Sequence, residues 1–174
     1  MPGLAGLVSA KKDLPAQGME FMLEALRYGR ATKTESYNED TIGLGCVHLG
    51  TGGQQALYKS AEAVVVFFGY LTQPPIPPGA DASAPDAAPR YIHDHYLEQG
   101  EYMMQEVAGA FAIAIWDKRT QNLLLITDHL GLRPIYYSVH NGIFRFASEV
   151  KGILADPFFP HHINKAAFAD YFYF

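Results

Sequence analysis

The segment GAFAIAIWD, residues 109–117, constrains the fold more than any other stretch of this chain. Large and small apolar residues alternate along it, so that Phe111, Ile113 and Ile115 face one way and alanines face the other. Because successive side chains of a strand point to opposite faces, both faces of this strand are apolar. Such a strand needs cover on both sides. A second sheet on one side and helices on the other would supply it.

Apolar runs elsewhere in the chain predict further strands, and an apolar stripe predicts a helix. The predicted strands lie at residues 3–8, 41–49 and 63–69 and in the segment NLLLIT. A helix that begins near Asp13 or Pro15 and ends at Gly29 would bury one face. That face consists of Met19, Met22, Leu23 and Leu26.

The last third of the chain predicts a hairpin and short helices. In PIYYSVHNGIFRFAS, the pair Asn141-Gly142 suits a tight turn with positive φ between two strands. Two short helices are predicted here, one that begins after an N-capping Ser148 and one in NKAAFADYFYF. A further helix is predicted earlier in the chain, at residues 91–99. The order of these elements favours an α+β fold with layered antiparallel sheets.

A proline-rich segment, TQPPIPPGADASAPDAAPR at about residues 72–90, interrupts this pattern. It holds six of the eleven prolines and almost no residue suited to a core. Because proline removes backbone donors and favours extended conformations, we expect a surface insertion here. The alternative is a proline-rich ligand for another protein.

Composition narrows the class of protein. The net charge of −5 comes without a basic stripe, which argues against a nucleic-acid partner. A single cysteine, Cys46, allows no internal disulfide and fits a reducing compartment. No apolar run reaches the roughly 18 residues of a membrane span. We therefore expect a soluble, cytoplasmic domain with no membrane partner.

Several motifs, in order, resemble the class II glutamine amidotransferase domain, most closely the N-terminal domain of glutamine-dependent asparagine synthetases. They are Gly109-Ala110-Phe111-Ala112, Trp116-Asp117, Asp128-xx-Gly131-xx-Pro134-Ile135-Tyr136-Tyr137 and Phe146-Ala147-Ser148-Glu149. The resemblance covers nearly all of residues 1–174 as one glutaminase-like domain. It implies the N-terminal nucleophile hydrolase fold, a four-layer αββα sandwich of antiparallel sheets.

The family's chemistry depends on residues that this chain lacks. There, an N-terminal cysteine attacks the glutamine amide, an asparagine and a glycine amide hold the oxyanion, and an arginine and an acidic residue bind the substrate. Here Pro2 replaces the cysteine and Phe68 the asparagine, while Gly69 remains. His48 replaces the arginine, and the acidic position falls at Ala88. The resemblance thus implies a vestigial glutamine pocket with no catalytic residue.

These departures lead to one hypothesis and two alternatives. The first is a non-catalytic, amidotransferase-like domain of an asparagine synthetase-like ligase, a protein of asparagine biosynthesis. Its synthetase domain, which would bind ATP and Mg²⁺, is expected beyond residue 174 or as a separate chain, so no cofactor is expected here. One alternative is a free-standing module that uses the aromatic C-terminus or the proline-rich segment to bind another protein, or a second copy of itself as a homodimer. The other is a hydrolase whose base is the Pro2 amine.

Other polar residues carry weaker hypotheses. Cys46 and His48 share a strand face and form either a nucleophilic pair or a buried thiol beside a hydrogen-bonded histidine.

Asp128, Arg133 and Glu149 are interpreted as structural, with an inter-domain contact as the alternative. The remaining histidine pairs are expected to lie at the surface rather than to bind a metal. They are His93 with His95, and His161 with His162.

Overall fold

Two antiparallel β-sheets and four α-helices form the described part of the computed structural model, residues 3–10, 16–29, 31–49, 55–73 and 84–173. The first half holds β1 (Gly3–Ser9), α1 (Ala16–Leu26), β2 (Lys33–Glu39), β3 (Ile42–His48), β4 (Leu57–Lys59) and β5 (Ala63–Gln73). The second half holds α2 (Ala87–Gln99), a 3₁₀ helix (Gly100–Gln105), β6 (Ala108–Asp117), β7 (Asn122–Thr127), β8 (Tyr136–His140), β9 (Ile143–Ala147), α3 (Val150–Leu154) and α4 (Lys165–Tyr171).

The strands divide into a five-stranded and a four-stranded sheet. The strand order is β2-β3-β1-β9-β8 in the first sheet and β4-β5-β6-β7 in the second. Strand β1 lies at the centre of the first sheet, with Ala5 opposite both Gly45 of β3 and Ala147 of β9. Strands β5 and β6 form the middle of the second sheet, where Phe68 pairs with Ala112.

The two faces of β6 lie in two different apolar clusters, which confirms the predicted alternation. Ala112, Ala114 and Trp116 pack in a cluster that includes residues of the first sheet. The bulkier side chains on the opposite face pack in a cluster with α2 and the 3₁₀ helix, where Ile92 and Met103 are buried. A third cluster joins α1 and α3 to the first sheet.

The α1 stripe and the hairpin turn are also confirmed. All four predicted stripe residues, Met19, Met22, Leu23 and Leu26, are buried. Asn141 and Gly142 have φ values of 51° and 73°, as a primed turn requires. The predicted start of the helix at Asp13 or Pro15 lies outside the described residues. None of the described helices is long and apolar enough to cross a membrane.

Strands β2 and β4 were not predicted. Both lie at sheet edges, where one side of a strand faces no neighbouring strand. Most residues of β2 (KTESYNE) are exposed, and no residue of β4 is buried. An edge strand can be polar, so neither segment carries the apolar run by which buried strands are recognised.

Two boundaries of the proline-rich segment needed correction. Thr72 and Gln73 belong to β5, and α2 begins at Ala87 rather than at residue 91. Pro89 lies near the start of α2, where proline is tolerated because the first helical N–H groups have no partner within the helix. The predicted insertion therefore reduces to a shorter stretch, whose residues 74–83 lie outside the described ones.

Ser148 does not cap α3, contrary to the prediction. Glu149 occupies the N-cap position and makes no side-chain capping bond. The Ser148 backbone N–H donates to the Leu4 carbonyl, at 2.9 Å, while its hydroxyl is buried without a partner. Packing against β1 has thus taken precedence over the local capping preference.

Candidate active site

His48, at the end of β3, is tied to a carboxylate of the neighbouring strand. Its Nε2 lies 2.8 Å from Oε1 of Glu35, a β2 residue that the sequence analysis missed. The other oxygen, Oε2, accepts the backbone N–H groups of Ala56 and Leu57 at 3.2 and 3.0 Å. Glu35 therefore links β2, β3 and the start of β4. His48, which the resemblance places at the substrate-arginine position, thus has an acidic partner within the chain.

Cys46 lies two residues earlier and is fully buried. Its sulfur lies 3.7 Å from the Val47 carbonyl oxygen and 4.0 Å from that of Phe67. Burial, and secondly the charge of Glu35, raise the pKa of the Cys46 thiol far above its usual range. A thiol that stays protonated is a poor nucleophile. This geometry favours the structural interpretation of the Cys46–His48 pair.

Phe68, on β5, is half-buried against the cluster between the sheets. The guanidinium carbon of Arg133 lies 5.0 Å from the centre of its ring, which is cation–π distance. The Nε of Arg133 is buried and has no hydrogen-bond acceptor. An aromatic ring stacked with a cation thus stands where the resemblance implies an oxyanion-binding amide.

Gly69 follows Phe68 and has a φ of +133°, which other residues rarely adopt. A Cβ there would lie 2.1 Å from the Ala110 carbonyl oxygen and 2.7 Å from the Phe111 Cα. Glycine is therefore required here by the close approach of β5 and β6, whether or not its amide has a chemical role.

Asp128 organises the turn that carries Arg133. Its Oδ1 accepts the N–H groups of Leu130 and Leu132 at 3.0 and 3.1 Å. Its Oδ2 accepts those of Phe111 at 3.2 Å and Arg133 at 3.3 Å. Burial opposes ionisation, but these bonds outweigh it and lower the pKa of Asp128. The carboxylate is buried and bonded to its own chain, so it is a positioning group for Arg133.

Ala88, Glu149 and Pro2 are the remaining predicted site residues. Ala88 packs with α2 against the cluster that contains Phe67, on the opposite face of the second sheet. The structure therefore does not bring Ala88 beside Phe68. Glu149 pairs with Lys151 at 3.3 Å near the start of α3. Pro2 lies outside the described residues.

The histidine pairs differ from one another. His93 is buried, contrary to the predicted surface position, and bonds to Asp94 and Ser60. His95 bonds to the Tyr91 carbonyl at 3.0 Å. Both His161 and His162 are exposed. Among the described residues, no group of three or more histidine, cysteine or acidic side chains is placed to hold a metal ion.

Comparison with known proteins gives a family match for the second half of the chain and one relative that aligns with nearly all of it. Residues 90–174 match the family model of a glutamine amidotransferase domain. Asparagine synthetase [glutamine-hydrolyzing] 3 of Bacillus subtilis is 25% identical over 186 residues, which cover 99% of this chain and 30% of that protein. Asparagine synthetase [glutamine-hydrolyzing] 2 of the same organism is 36% identical over 76 residues, 43% of this chain and 10% of that protein.

A protein with a different name shows a similar match. Amidase chry2 of Gibberella zeae is 33% identical over 64 residues, 37% of this chain and 9% of that protein. The chain thus spans less than a third of the length of each of these relatives.

Proposed function

Because these matches support a glutamine amidotransferase domain related to the asparagine synthetases, we propose that this chain is a non-catalytic form of that domain. The observation that carries the proposal is the Phe68–Arg133 stack. An aromatic ring donates no hydrogen bond to an oxyanion, and removal of one such donor typically costs about a hundredfold to a thousandfold in rate.

The nucleophile is also missing from the sequence. Pro2 offers no thiol, and thioester chemistry requires one. Cys46 does not substitute for it, because its thiol is buried and its pKa is raised. His48, in the position of the substrate-binding arginine, faces Glu35 instead.

The scaffold that remains supports a partner role. Three apolar clusters, one with residues of both sheets and two that join a sheet to helices, support an αββα arrangement of the N-terminal nucleophile hydrolase type. We propose that this cytoplasmic domain serves a synthetase domain, in the same chain or a separate one, in an asparagine synthetase-like ligase. ATP and Mg²⁺ would bind to that domain. The short coverage of the relatives supports this architecture.

An ammonia-release assay with glutamine tests the loss of catalysis. The purified chain is expected to release no ammonia above the blank. Two variants, Pro2→Cys and Pro2→Cys/Phe68→Asn, ask whether the nucleophile alone or both groups are needed to restore turnover. Ammonia release by the unaltered chain would contradict the proposal. If acetylation of the N-terminus abolished that release, the Pro2 amine would be the base.

An interaction role is also favoured by α4. Every residue of this helix is exposed, and the ring of Phe172, the residue after it, contacts those of Phe168 and Tyr171. Large apolar side chains left in water commonly mark a protein–protein contact. Light scattering of the chain, alone and with a synthetase domain, distinguishes self-association from hetero-association and from a monomer.

A further inference from the structure

A chain of hydrogen-bonded side chains joins the turn between β4 and β5 to helix α2. His93 Nε2 lies 2.9 Å from Ser60 Oγ, and His93 Nδ1 lies 2.8 Å from Asp94 Oδ1. A hydroxyl, a base within reach of it and a carboxylate that orients the base form the arrangement that activates serine nucleophiles on unrelated folds. We propose that Ser60 is a reactive serine that accepts acyl groups from small activated esters, with His93 as base and Asp94 as positioning residue.

The imidazole is fixed in the orientation that this chemistry needs. The His93 side chain is 5% exposed, and the Tyr58 ring meets it edge-on, with the ring centres 4.8 Å apart. Asp94 accepts a hydrogen bond and cannot donate one when ionised, so Nδ1 carries the proton. That tautomer leaves Nε2 as an acceptor for the Ser60 hydroxyl.

Two backbone N–H groups of the same turn stabilise negative charge on Ser60 Oγ. Its Oγ accepts the backbone N–H groups of Glu62 at 2.9 Å and Ala63 at 3.2 Å, which favours the deprotonated oxygen. When Oγ forms a new covalent bond it uses one of its lone pairs, and the longer hydrogen bond, from Ala63, is the one that would be lost. Lys118 donates to the Ser60 carbonyl at 2.9 Å and so holds the backbone of this turn in place.

Glu62 competes for the same hydroxyl proton. Its Oε2 lies 2.7 Å from Ser60 Oγ. The hydroxyl has one proton, which points either to Glu62 or to His93, and only the second state passes the proton to the imidazole. Glu62 is exposed, so its carboxylate can turn to water when a substrate approaches from the solvent.

The proposed step balances without any further reactant. Ser60 Oγ bonds to the ester carbonyl carbon as its proton passes to His93 Nε2. The bond from that carbon to the leaving oxygen then breaks, and the leaving alcohol takes the proton from His93. The product is an ester of Ser60, and the imidazole returns to its neutral form.

A fluorophosphonate probe tests this reactivity directly. Its phosphorus bonds to Ser60 Oγ and fluoride leaves, and mass spectrometry of the digested chain locates the adduct. Labelling is expected at Ser60, with a rate about 100-fold lower in His93→Gln. His95→Gln is the matched control, since His95 lies on the same helix and its ring forms a hydrogen bond with a backbone carbonyl, not with Ser60. No adduct at Ser60, or equal rates in His93→Gln and the unaltered chain, would overturn the proposal.

A second pair of variants separates loss of reactivity from loss of folding. In Ser60→Cys the new thiol reacts with iodoacetamide and iodide leaves, while the native Cys46 is buried. Ser60→Cys is expected to react roughly tenfold faster than Ser60→Cys/His93→Gln at neutral pH, because the imidazole raises the thiolate fraction. Thermal unfolding shows that both variants are folded. Equal alkylation rates in these two folded variants would mean that His93 activates nothing at this position.

Discussion

The Asp128 turn and strand β5 are in contact where Arg133 lies over Phe68, yet the polar groups on the two sides differ in how fully they are hydrogen-bonded. Both oxygens of Asp128 accept two backbone N–H groups each. In contrast, the Arg133 side chain, which reaches from that turn over Phe68, buries its Nε without an acceptor. The turn is fixed by four hydrogen bonds to one carboxylate, whereas the stack depends on one cation–π contact.

Two other buried carboxylates, those of Asp117 and Asp156, are also fully hydrogen-bonded, and together with Asp128 they are called the framework here. Asp117, at the end of β6, accepts hydrogen bonds from Tyr96 and from the backbone and guanidinium of Arg119. Asp156 is buried against Arg145 and also accepts the Phe158 N–H at 3.0 Å. Framework substitutions should therefore cost stability in proportion to burial, whereas substitutions of the Phe68–Arg133 stack should cost little.

The largest effect is expected from Asp156→Ala. Arg145 Nε lies 2.5 Å from Asp156 Oδ2, with side chains 1% and 0% exposed, so the variant leaves a buried, unpaired cation. The free energy of unfolding should fall by about 3–5 kcal/mol, measured by urea denaturation. Glu24→Ala, which breaks an exposed pair with Arg27, is the control and should cost less than about 1 kcal/mol. If the free energy of unfolding fell by similar amounts in Asp156→Ala and in the control, burial of the carboxylate would not determine the cost of its loss.

A moderate effect is expected from acid titration of Asp117. The Arg119 side chain is the main cause that lowers the pKa of Asp117 to about 2, from an ordinary value of 3.8. A lowered folded-state pKa stabilises the protein above pH 3.8, and this contribution disappears as the pH falls towards 2. It amounts to about 2 kcal/mol. Urea denaturation between pH 5 and about 2 should show a smaller acid loss in Arg119→Ala, and an unchanged loss would contradict this assignment.

The smallest effect is expected from Arg133→Met. Loss of the cation–π contact costs about 0.5–1 kcal/mol. Removal of a buried donor without an acceptor offsets that cost. The free energy of unfolding should therefore stay within about 1 kcal/mol of its original value. Arg145→Met provides the comparison and should lose several times more. If Arg133→Met were as destabilised as Arg145→Met, the stack would belong to the framework.

The predictable parts of this molecule are those encoded by local periodicity. Alternation in β6, the four-residue stripe of α1 and the Asn141-Gly142 turn each follow from neighbouring residues, and each is found. The polar edge strands β2 and β4 lacked such a signal. Missing β2 also meant missing Glu35, the partner of His48.

Sequence alone determined the elements that bury apolar faces, the family resemblance and the presence of Pro2 where that resemblance implies a cysteine, because these depend on residue type and spacing along the chain. Tertiary structure decided which distant side chains meet. Arg133 lies over Phe68, Glu35 faces His48, and His93 bonds to Ser60 from a different element. Such contacts depend on how separately formed elements pack together, and no local pattern of residues encodes that packing.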